Sequence, residues 1–529
     1  MATQTKPYPC MIFTKGRSCL AFTFIALLLF ASFSRPLFLT SVGNISYVRL
    51  FKYVVYITTI VLGGMYIWRR LVSDIEESYQ HELQSRYGVL PVTDESLSVE
   101  NDVTFIQLER FQHSAFFTIW KIIVALVLSI AVLGYLKMHS HTRNTFFSLI
   151  DTFCFTILGL GAFLVFSLFV LDCLLFLLFC CKIIFLFLQK DAKILHGCNS
   201  NIDHILLNDI LNVLKEPRKV LFHWKKISNK LISPTLKASL SLLFTVTVTF
   251  YGLHCAHRVL KVNEIDIPIR ELPSSLEQFS IVQVCDFHIG PWLWKEHVEK
   301  VVDKVNDLHP DIVVIVGDLV DLTTDKVLDA IQPLERLTSK KGIFFVGGNH
   351  DYYLGDIENL YKHLKKTGIK VLSNESVKIC RDADDKEESC FYLVGTEDIS
   401  QEQGLITKQR TGRNFNLTKA LVGVDSAMPV VLLTHQPSAA KQAILTDQKF
   451  DLILSGHTHG GQFFPVSLVV YLSVPYFYGL YHVKESTYLY VSSGVGFWGI
   501  PMRFMAPPEV AVLSLVSDTG SSHAAISRA

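Results

Sequence analysis

Long apolar runs dominate the N-terminal half of this chain of 529 residues. A membrane-spanning helix needs roughly 20 apolar residues, because the hydrocarbon core of a bilayer is about 30 Å thick. The candidate runs, all flanked by charged residues, are Leu20–Thr40, Tyr53–Trp68, Phe116–Leu136, Phe146–Leu188 and Leu236–His254. The pattern predicts a multi-pass helical membrane region over residues 1–258 with about five spans.

Two of these runs leave a choice. Phe146–Leu188 is long enough for two spans, but no turn signal or basic break divides it, so one crossing and two crossings both remain open. Leu20–Thr40 has the apolar centre of a signal peptide. It lacks a clear small-residue cleavage site and further spans follow it, which favours a retained helix.

Basic residues orient the predicted spans. The segment Gln189–Lys237 is rich in Lys and Arg, and Lys6, Lys15 and Arg17 precede the first run. Both segments are therefore predicted to face the cytosol, since cytoplasmic loops carry an excess of basic residues. With five spans, the C-terminal half then lies outside the cytosol, in a lumen or at the cell surface.

Glycosylation signals and cysteines agree with that orientation. The sequons at Asn44, Asn374 and Asn416 all fall on segments that this topology places outside, which predicts a glycoprotein. Cys380 and Cys390 bracket an acidic turn between two strand-like runs, a spacing that suits a disulfide closing a hairpin in an oxidising compartment. The other cysteines do not form a disulfide framework, and several lie in apolar runs.

The C-terminal half has the alternation of an α/β domain. From Phe279, strand-like runs alternate with helical patterns in the order βαβαβα as far as Lys365, and later runs to Leu515 are strand-like with fewer helices. We assign residues 259–517 to this domain and expect residues 518–529 to be a disordered tail. The formal net charge of +1 argues against a nucleic-acid partner.

The uncharged segment Phe464–His482 is apolar enough to resemble another span. Pro465, Pro475 and Gly479 interrupt it, and a crossing there would separate strands that must share one sheet. We therefore expect a core or surface-covering loop. Its many aromatic residues keep a second interpretation open, a lip that dips into the membrane.

Polar side chains follow the predicted strands at the points where an α/β sheet presents its functional crevice. Three successive clusters are separated by about 30 residues, the length of a βαβ unit, so they are expected to converge in space. A single Asp or His in such a place is usually a turn or surface residue. Five clusters together are hard to obtain from turn statistics. They are Asp286-Phe-His288, Gly317-Asp318-Leu-Val-Asp321, Gly347-Gly-Asn349-His350-Asp351, His435, and Gly456-His457-Thr-His459-Gly-Gly.

This ordered set resembles the calcineurin-like metallophosphoesterases over roughly Phe279–Val516, and no ligand position departs from the family's pattern. The stretches around Gly494 and Pro507 resemble a membrane-linked subgroup. The resemblance implies two packed sheets flanked by helices and two divalent cations, for which Mn, Zn and Fe suit the donors equally. It implies that Asp286, His288, Asp318 and His459 hold one cation, and that Asp318, Asn349, His435 and His457 hold the other.

The chemistry implied is hydrolysis of a phosphomonoester or phosphodiester, with a metal-bound hydroxide as nucleophile. His350 is then the general acid, with Asp351 as a candidate to orient its ring; an N-cap role for Asp351 is held equally. Arg503 is a candidate phosphate contact, and a structural role for it is at least as well favoured.

The location motivates a lipid-linked or glycan-linked substrate, with membrane lipids as partners. One alternative is a non-catalytic membrane scaffold that keeps the fold, for which lost ligands are expected. Another is a transporter with an attached domain, for which Asp151 and Asp172 are the only hints in the spans.

Overall fold

The computed structural model of the chain describes residues 62–79, 118–130, 148–195, 228–229, 231–290, 292–381, 390–401, 413–518 and 527–528. The predicted span Leu20–Thr40, the sequon at Asn44, and most of the tail and of the basic segment Gln189–Lys237 lie outside these residues. The chain divides into two compact units, one of residues 1–137 and 160–247 and one of residues 138–159 and 248–529.

Two described helices are long and apolar enough to cross a membrane. They are α1 (Ser148–Leu195), whose apolar part is Thr152–Cys181, and α2 (Pro234–Arg258). The helix over Thr118–Ile130 is apolar but shorter. Because α1 runs unbroken over residues 148–188 of the predicted run, this part of the run contains no turn of the kind that two crossings require.

In the first unit, helical segments pack through apolar side chains such as Ile67, Val124 and Leu168. Arg70 forms ion pairs with Asp74 and Asp172, and the hydroxyl of Tyr66 donates to Asp172 at 2.6 Å. Asp172, one of the two acids that hinted at a transport pathway, is therefore paired with the cation of Arg70 and the phenol of Tyr66. Paired charge of this kind is how membrane helices accommodate ionisable residues.

The second unit contains two packed sheets. Its described residues contain thirteen strands. Five of them, β2, β3, β4, β8 and β9, are followed by residues of the candidate site. The strands are β1 Lys261–Ile269, β2 Phe279–Val284, β3 Ile312–Val316, β4 Ile343–Val346, β5 Lys370–Val371, β6 Glu375–Cys380, β7 Cys390–Gly395, β8 Val430–Leu433, β9 Leu452–Ser455, β10 Gly479–Lys484, β11 Thr487–Val491, β12 Glu509–Ser517 and β13 Ser527–Arg528.

The first sheet has the order β13-β1-β12-β2-β3-β4-β5, and the second has the order β10-β11-β9-β8-β7-β6. Strands β2, β3, β4 and β5 are parallel, as are β7, β8, β9 and β11. Strand β12 pairs antiparallel with β2, and the edge strands β6 and β10 pair antiparallel with β7 and β11. Both sheets are therefore mixed, each with a parallel centre.

Helices cover the outer faces of the two sheets. The remaining helices of this unit are α3 Lys295–Asn306, α4 Thr324–Ile331, α5 Asn349–Tyr352, α6 Ile357–Lys366, α7 Leu417–Ala420, α8 Pro437–Ile444 and α9 Val466–Ser473. Strand β3 shows why the layers form. Ile312, Val314 and Val316 belong to the core between the sheets, while Val313 and Ile315 pack under helices. Alternate residues of a strand point to opposite faces, so a strand buried on both faces is wholly apolar.

The predicted fold, two packed sheets flanked by helices, is confirmed. The disulfide expected between Cys380 and Cys390 joins the paired strands β6 and β7. The core or surface-covering loop expected over Phe464–His482 is wrong, because much of the segment has regular secondary structure. The segment forms helix α9 and strand β10, and none of the eight described side chains of α9 is buried.

Candidate metal centre

The candidate site is built at the carboxyl ends of parallel strands. Asp286 and His288 follow β2, Asp318 follows β3, and Asn349 follows β4. In the second sheet, His435 follows β8, while His457 and His459 follow β9. Because the parallel strands of each sheet end on one edge, all seven predicted ligands are carried to the same crevice.

Many of these residues occupy backbone conformations that side chains normally avoid. Asp286, His288, Asp318, His457 and His459 have φ between 50° and 71°. Each such residue costs about 1–3 kcal/mol and persists only where its surroundings enforce it. Five of them on facing loops indicate a site held in shape by the fold rather than five ordinary turns.

One group of ligand atoms comes from Asp286, His288 and His459, whose donor atoms lie within 4.8 Å of one another. The Nε2 atoms of His288 and His459 are 2.9 Å apart, and His459 Nε2 is 3.6 Å from Asp286 Oδ1. The carboxylate of Asp286 also accepts the backbone N–H of His457 at 3.0 Å. This group matches the set predicted for the first cation, apart from Asp318.

A second group comes from Asp318, His435 and His457, again within 4.8 Å of one another. Asp318 Oδ2 lies 3.2 Å from His435 Nε2 and 3.7 Å from His288 Nε2, so one carboxylate oxygen stands between the two groups. That is the position required of a bridging ligand. The backbone N–H of His350 donates to the other oxygen at 2.7 Å and fixes the carboxylate.

The residues fit divalent cations. Asn349 Oδ1 is buried and has no hydrogen-bond partner among the described residues. A buried polar atom without a partner costs about 1–3 kcal/mol, and coordination removes that cost. Gly348 leaves space for Asp318, because a Cβ at Gly348 would collide with the backbone nitrogen and Oδ1 of Asp318.

The predicted ligands differ in how readily they give up a proton to a cation. Burial opposes a charge on His435, but Asp318 and Asp286 raise its pKa to about 10, so a cation bound there would displace a proton. Burial opposes ionisation of Asp318, but His435 and His350 hold its pKa well below the usual range. Burial lowers the pKa of His457 to about 3, and burial with the charge of Arg503 lowers the pKa of His459 far below normal. A carboxylate and neutral imidazoles are the forms that bind metal ions.

The predicted acid, His350, lies beside the cluster, with its ring 4.5 Å from that of His288. The carboxylate at its ring is Asp321, whose Oδ1 is 2.6 Å from His350 Nδ1 and 3.0 Å from His288 Nδ1. Asp351 accepts backbone N–H groups, two from the loop after β3 and one from Gly348 at 2.8 Å. The prediction that Asp351 orients His350 is therefore corrected. Asp351 instead accepts hydrogen bonds from the backbone at the start of α5 and in the loop after β3.

Arg503 is not placed to bind substrate. The side chain is fully buried, and its guanidinium donates to the carbonyls of His459, Ser493 and Gly496. Nη2 also lies 3.0 Å from His459 Nδ1. The prediction that Arg503 contacts phosphate is therefore corrected. Arg503 is a buried residue that positions the predicted ligand His459 through Nδ1, the ring nitrogen that faces away from the cluster.

Sequence reasoning missed the supporting contacts of the site. Glu509 is buried and accepts from the hydroxyls of Tyr490 and Ser492 and from the backbone N–H of Ser493. It thereby holds the loop whose Gly494 packs against Asp286. A lone glutamate after two prolines carries no sequence signal of such burial. The hydroxyl of Tyr353, 2.7 Å from Asn349 Nδ2, likewise fixes the amide orientation.

Comparisons with known proteins agree with this geometry. Residues 279–461 match the family model of the calcineurin-like phosphoesterases. The chain is 38% identical over 271 residues to a Danio rerio protein named transmembrane protein with metallophosphoesterase domain, covering 51% of this chain and 61% of that protein. A Bos taurus protein of the same name is 38% identical over 281 residues, 53% of this chain and 62% of that protein. This chain thus spans about three fifths of each of these two relatives.

A third relative is covered almost completely. An uncharacterized metallophosphoesterase of Aquifex aeolicus is 33% identical over 263 residues, which are 50% of this chain and 94% of that protein. About half of this chain therefore corresponds to nearly the whole of a bacterial relative. The chain belongs to the calcineurin-like metallophosphoesterases.

Proposed function

We propose that this protein hydrolyses a phosphoester with the help of two divalent cations. Asp286, His288 and His459 would hold one, and Asn349, His435 and His457 the other, with Asp318 shared between them. The observation that carries the proposal is the position of Asp318 Oδ2 between His288 Nε2 and His435 Nε2, at 3.7 and 3.2 Å. Cations of such a pair polarise phosphoryl oxygens and lower the pKa of water.

His350 supplies the proton in this proposal. Its Nδ1 faces Asp321 at 2.6 Å, which leaves Nε2 to hold the proton that the leaving oxygen receives as the phosphoester bond breaks. The side chain is only 10% exposed, so bulk water competes little for that proton. Trp498 and Tyr353 flank the ring at 5.6 and 4.4 Å between centroids and restrict its orientation.

The setting we propose is a multi-pass membrane protein whose catalytic unit lies outside the cytosol. Apolar helices α1 and α2, and the names of the Danio rerio and Bos taurus relatives, support membrane anchoring. The Cys380–Cys390 disulfide supports an oxidising compartment, because cytosolic thiols are kept reduced.

The two described sequons differ in access. Asn416 is exposed, and its side-chain oxygen caps α7 by accepting the N–H of Lys419. Asn374 is buried, and its Nδ2 donates to the carbonyl of Asn414 at 2.8 Å. A glycan replaces one hydrogen of that amide and needs open space, so our proposal keeps glycosylation at Asn416 and drops it at Asn374.

The proposed hydrolysis is tested with the full chain in detergent, supplied with Mn²⁺ and either bis(4-nitrophenyl) phosphate or 4-nitrophenyl phosphate. His350→Gln is expected to lower kcat by about 10²–10⁴-fold, the usual contribution of a general acid. Asp318→Asn is expected to abolish metal-dependent turnover. His363→Gln, which changes a histidine of α6 away from the site, is the matched control. Full turnover in Asp318→Asn would overturn the proposal.

A further inference from the structure

Helix α9 (Val466–Ser473), here called the lip, carries an apolar surface that its own domain leaves uncovered. Leu468, Val469, Tyr471 and Leu472 are between 51% and 83% exposed, and no described side chain of the helix is buried. Helices this short are marginal in water and depend on packing of an apolar face. The lip therefore requires a partner that covers it.

Contacts within the second unit connect the lip to the end of the candidate span α2. The backbone N–H of Arg503 donates to the carbonyl of Gly252 at 2.9 Å, and the rings of Tyr251 and Phe504 lie 6.1 Å apart. Phe504 in turn accepts the N–H of Phe464 at 3.2 Å, close to the first turn of the lip.

Exposed apolar side chains continue across this connection. Phe250 and Tyr251 on α2 and Met505 beside Phe504 are all exposed, as are the side chains of the lip. The segment 464–481 contains no Asp, Glu, Lys or Arg, and it contributes six aromatic residues, four of which are Tyr, a residue that favours a membrane interface. Exposed apolar side chains thus occur on α2, beside Phe504 and on the lip of the catalytic unit.

The lip also borders the candidate site. It begins seven residues after His459, and Gln462 between them exchanges hydrogen bonds with the backbone of Trp498 at 2.9 and 3.1 Å. The ring of Trp498 lies 5.6 Å from that of His350, edge to face. Gln462 and Trp498 therefore connect the segment before the lip to His350.

We propose that the lip inserts into the bilayer surface and that the substrate is a phosphoester in the headgroup of a membrane lipid. The inference rests on the proposed hydrolytic function for its substrate, whereas insertion of the lip stands independently of activity. Apolar side chains without nearby charge bury favourably among acyl chains, at about 25 cal/mol per Å² of surface withdrawn from water.

The occupant of the lip is identified by photocrosslinking. The photoreactive residue p-benzoylphenylalanine replaces Leu472 in the full chain, embedded in nanodiscs of palmitoyl-oleoyl-phosphatidylcholine. The matched control carries it at Leu445, which is 76% exposed but lies before β9, at the sheet edge opposite the site. Lipid adducts are expected at position 472 and not at 445. A crosslink from position 472 to a second copy, or to another segment of this chain, would overturn the insertion.

The substrate class is tested with two probes that share a leaving group. Phosphatidyl-4-nitrophenol in phosphatidylcholine proteoliposomes presents the phosphodiester at a membrane, and bis(4-nitrophenyl) phosphate presents it in water. The variant Val469→Glu/Leu472→Glu is expected to lose about tenfold or more in turnover of the lipid probe, since two apolar side chains no longer insert. Its turnover of the soluble probe is expected to stay within about twofold of wild type.

Leu445→Glu is the control and is expected to change neither rate. Equal losses on both probes, or no loss on the lipid probe, would contradict a membrane-presented substrate. If wild type cleaves neither of these probes nor 4-nitrophenyl phosphate in the presence of Mn²⁺, the proposed hydrolysis itself is wrong, and the crosslinking result still decides whether the lip inserts. If wild type cleaves 4-nitrophenyl phosphate alone, the hydrolysis stands and the lipid phosphodiester is wrong.

Discussion

Asp321→Asn tests whether His350 is a general acid held by Asp321. The substitution keeps the shape of the side chain and removes the charge whose Oδ1 stands 2.6 Å from His350 Nδ1. Losing a partner that orients a catalytic ring or a metal ligand typically costs 10–100-fold, so we expect kcat to fall by about that factor, roughly 1.4–2.7 kcal/mol of barrier. Removing His350 itself is expected to cost about 10²–10⁴-fold.

The assay compares 4-nitrophenyl phosphate with phenyl phosphate at saturating Mn²⁺. Phenolate is the poorer leaving group and needs the proton more, so both variants are expected to lose more on phenyl phosphate. Asp321 also contacts His288 at 3.0 Å, and saturation with metal separates any loss of cation affinity from loss of the acid. The double variant with His350→Gln is expected to be no slower than His350→Gln alone, because Asp321 acts through His350.

Asp351→Asn is the matched control for this experiment. Its carboxylate contacts the backbone N–H groups of Leu319, Val320 and Gly348, so the variant is expected to lose stability without a steeper dependence on the leaving group. The reasoning is refuted if Asp321→Asn slows both substrates equally, or if its effect multiplies with that of His350→Gln.

Three further predictions concern stability and modification. Arg503→Lys is expected to lower Tm and to leave KM unchanged, because lysine leaves backbone carbonyls of the site without hydrogen-bond donors, at a cost of about 2 kcal/mol or more. A raised KM with an unchanged Tm would instead indicate that Arg503 contacts the phosphate. Asn416→Gln is expected to remove a glycosidase-sensitive mobility shift that Asn374→Gln leaves intact. Burial raises the pKa of Glu397 from 4.5 to about 7, so the folded state keeps a proton that the unfolded state releases. Unfolding free energy is therefore expected to fall as pH rises through that window, and Glu397→Gln should flatten the slope measured by urea denaturation.

Much of the catalytic unit follows from pattern alone. Strands such as β3, Ile312–Val316, are apolar at every position because both faces are buried, and Asp or His follows each one that reaches the site. These two signals together predicted the sheets and brought the seven ligands to one crevice. They depend only on strand periodicity and on where parallel strands end.

Contacts that depend on direction were beyond the sequence. Asp351 was the natural candidate beside His350, but neighbouring residues of a helix do not face each other, and Asp321 from another loop fills that place. The sequence shows that Arg503 is a cation suited to phosphate, but it does not show that the side chain is buried against His459. Helix α9 was expected to be a core or surface-covering loop because apolar composition does not show whether a segment is buried or exposed.

Hydrolysis in this proposal depends on cations held around Asp318. The most direct measurement removes metal from the full chain with a chelator, then adds Mn²⁺ stepwise while bound metal and turnover of bis(4-nitrophenyl) phosphate are recorded together. We predict that turnover is lost with the metal and returns as about two equivalents bind per chain. Asp318→Ala should bind less metal and recover no activity. Undiminished turnover in a chain from which all metal has been removed would contradict the account.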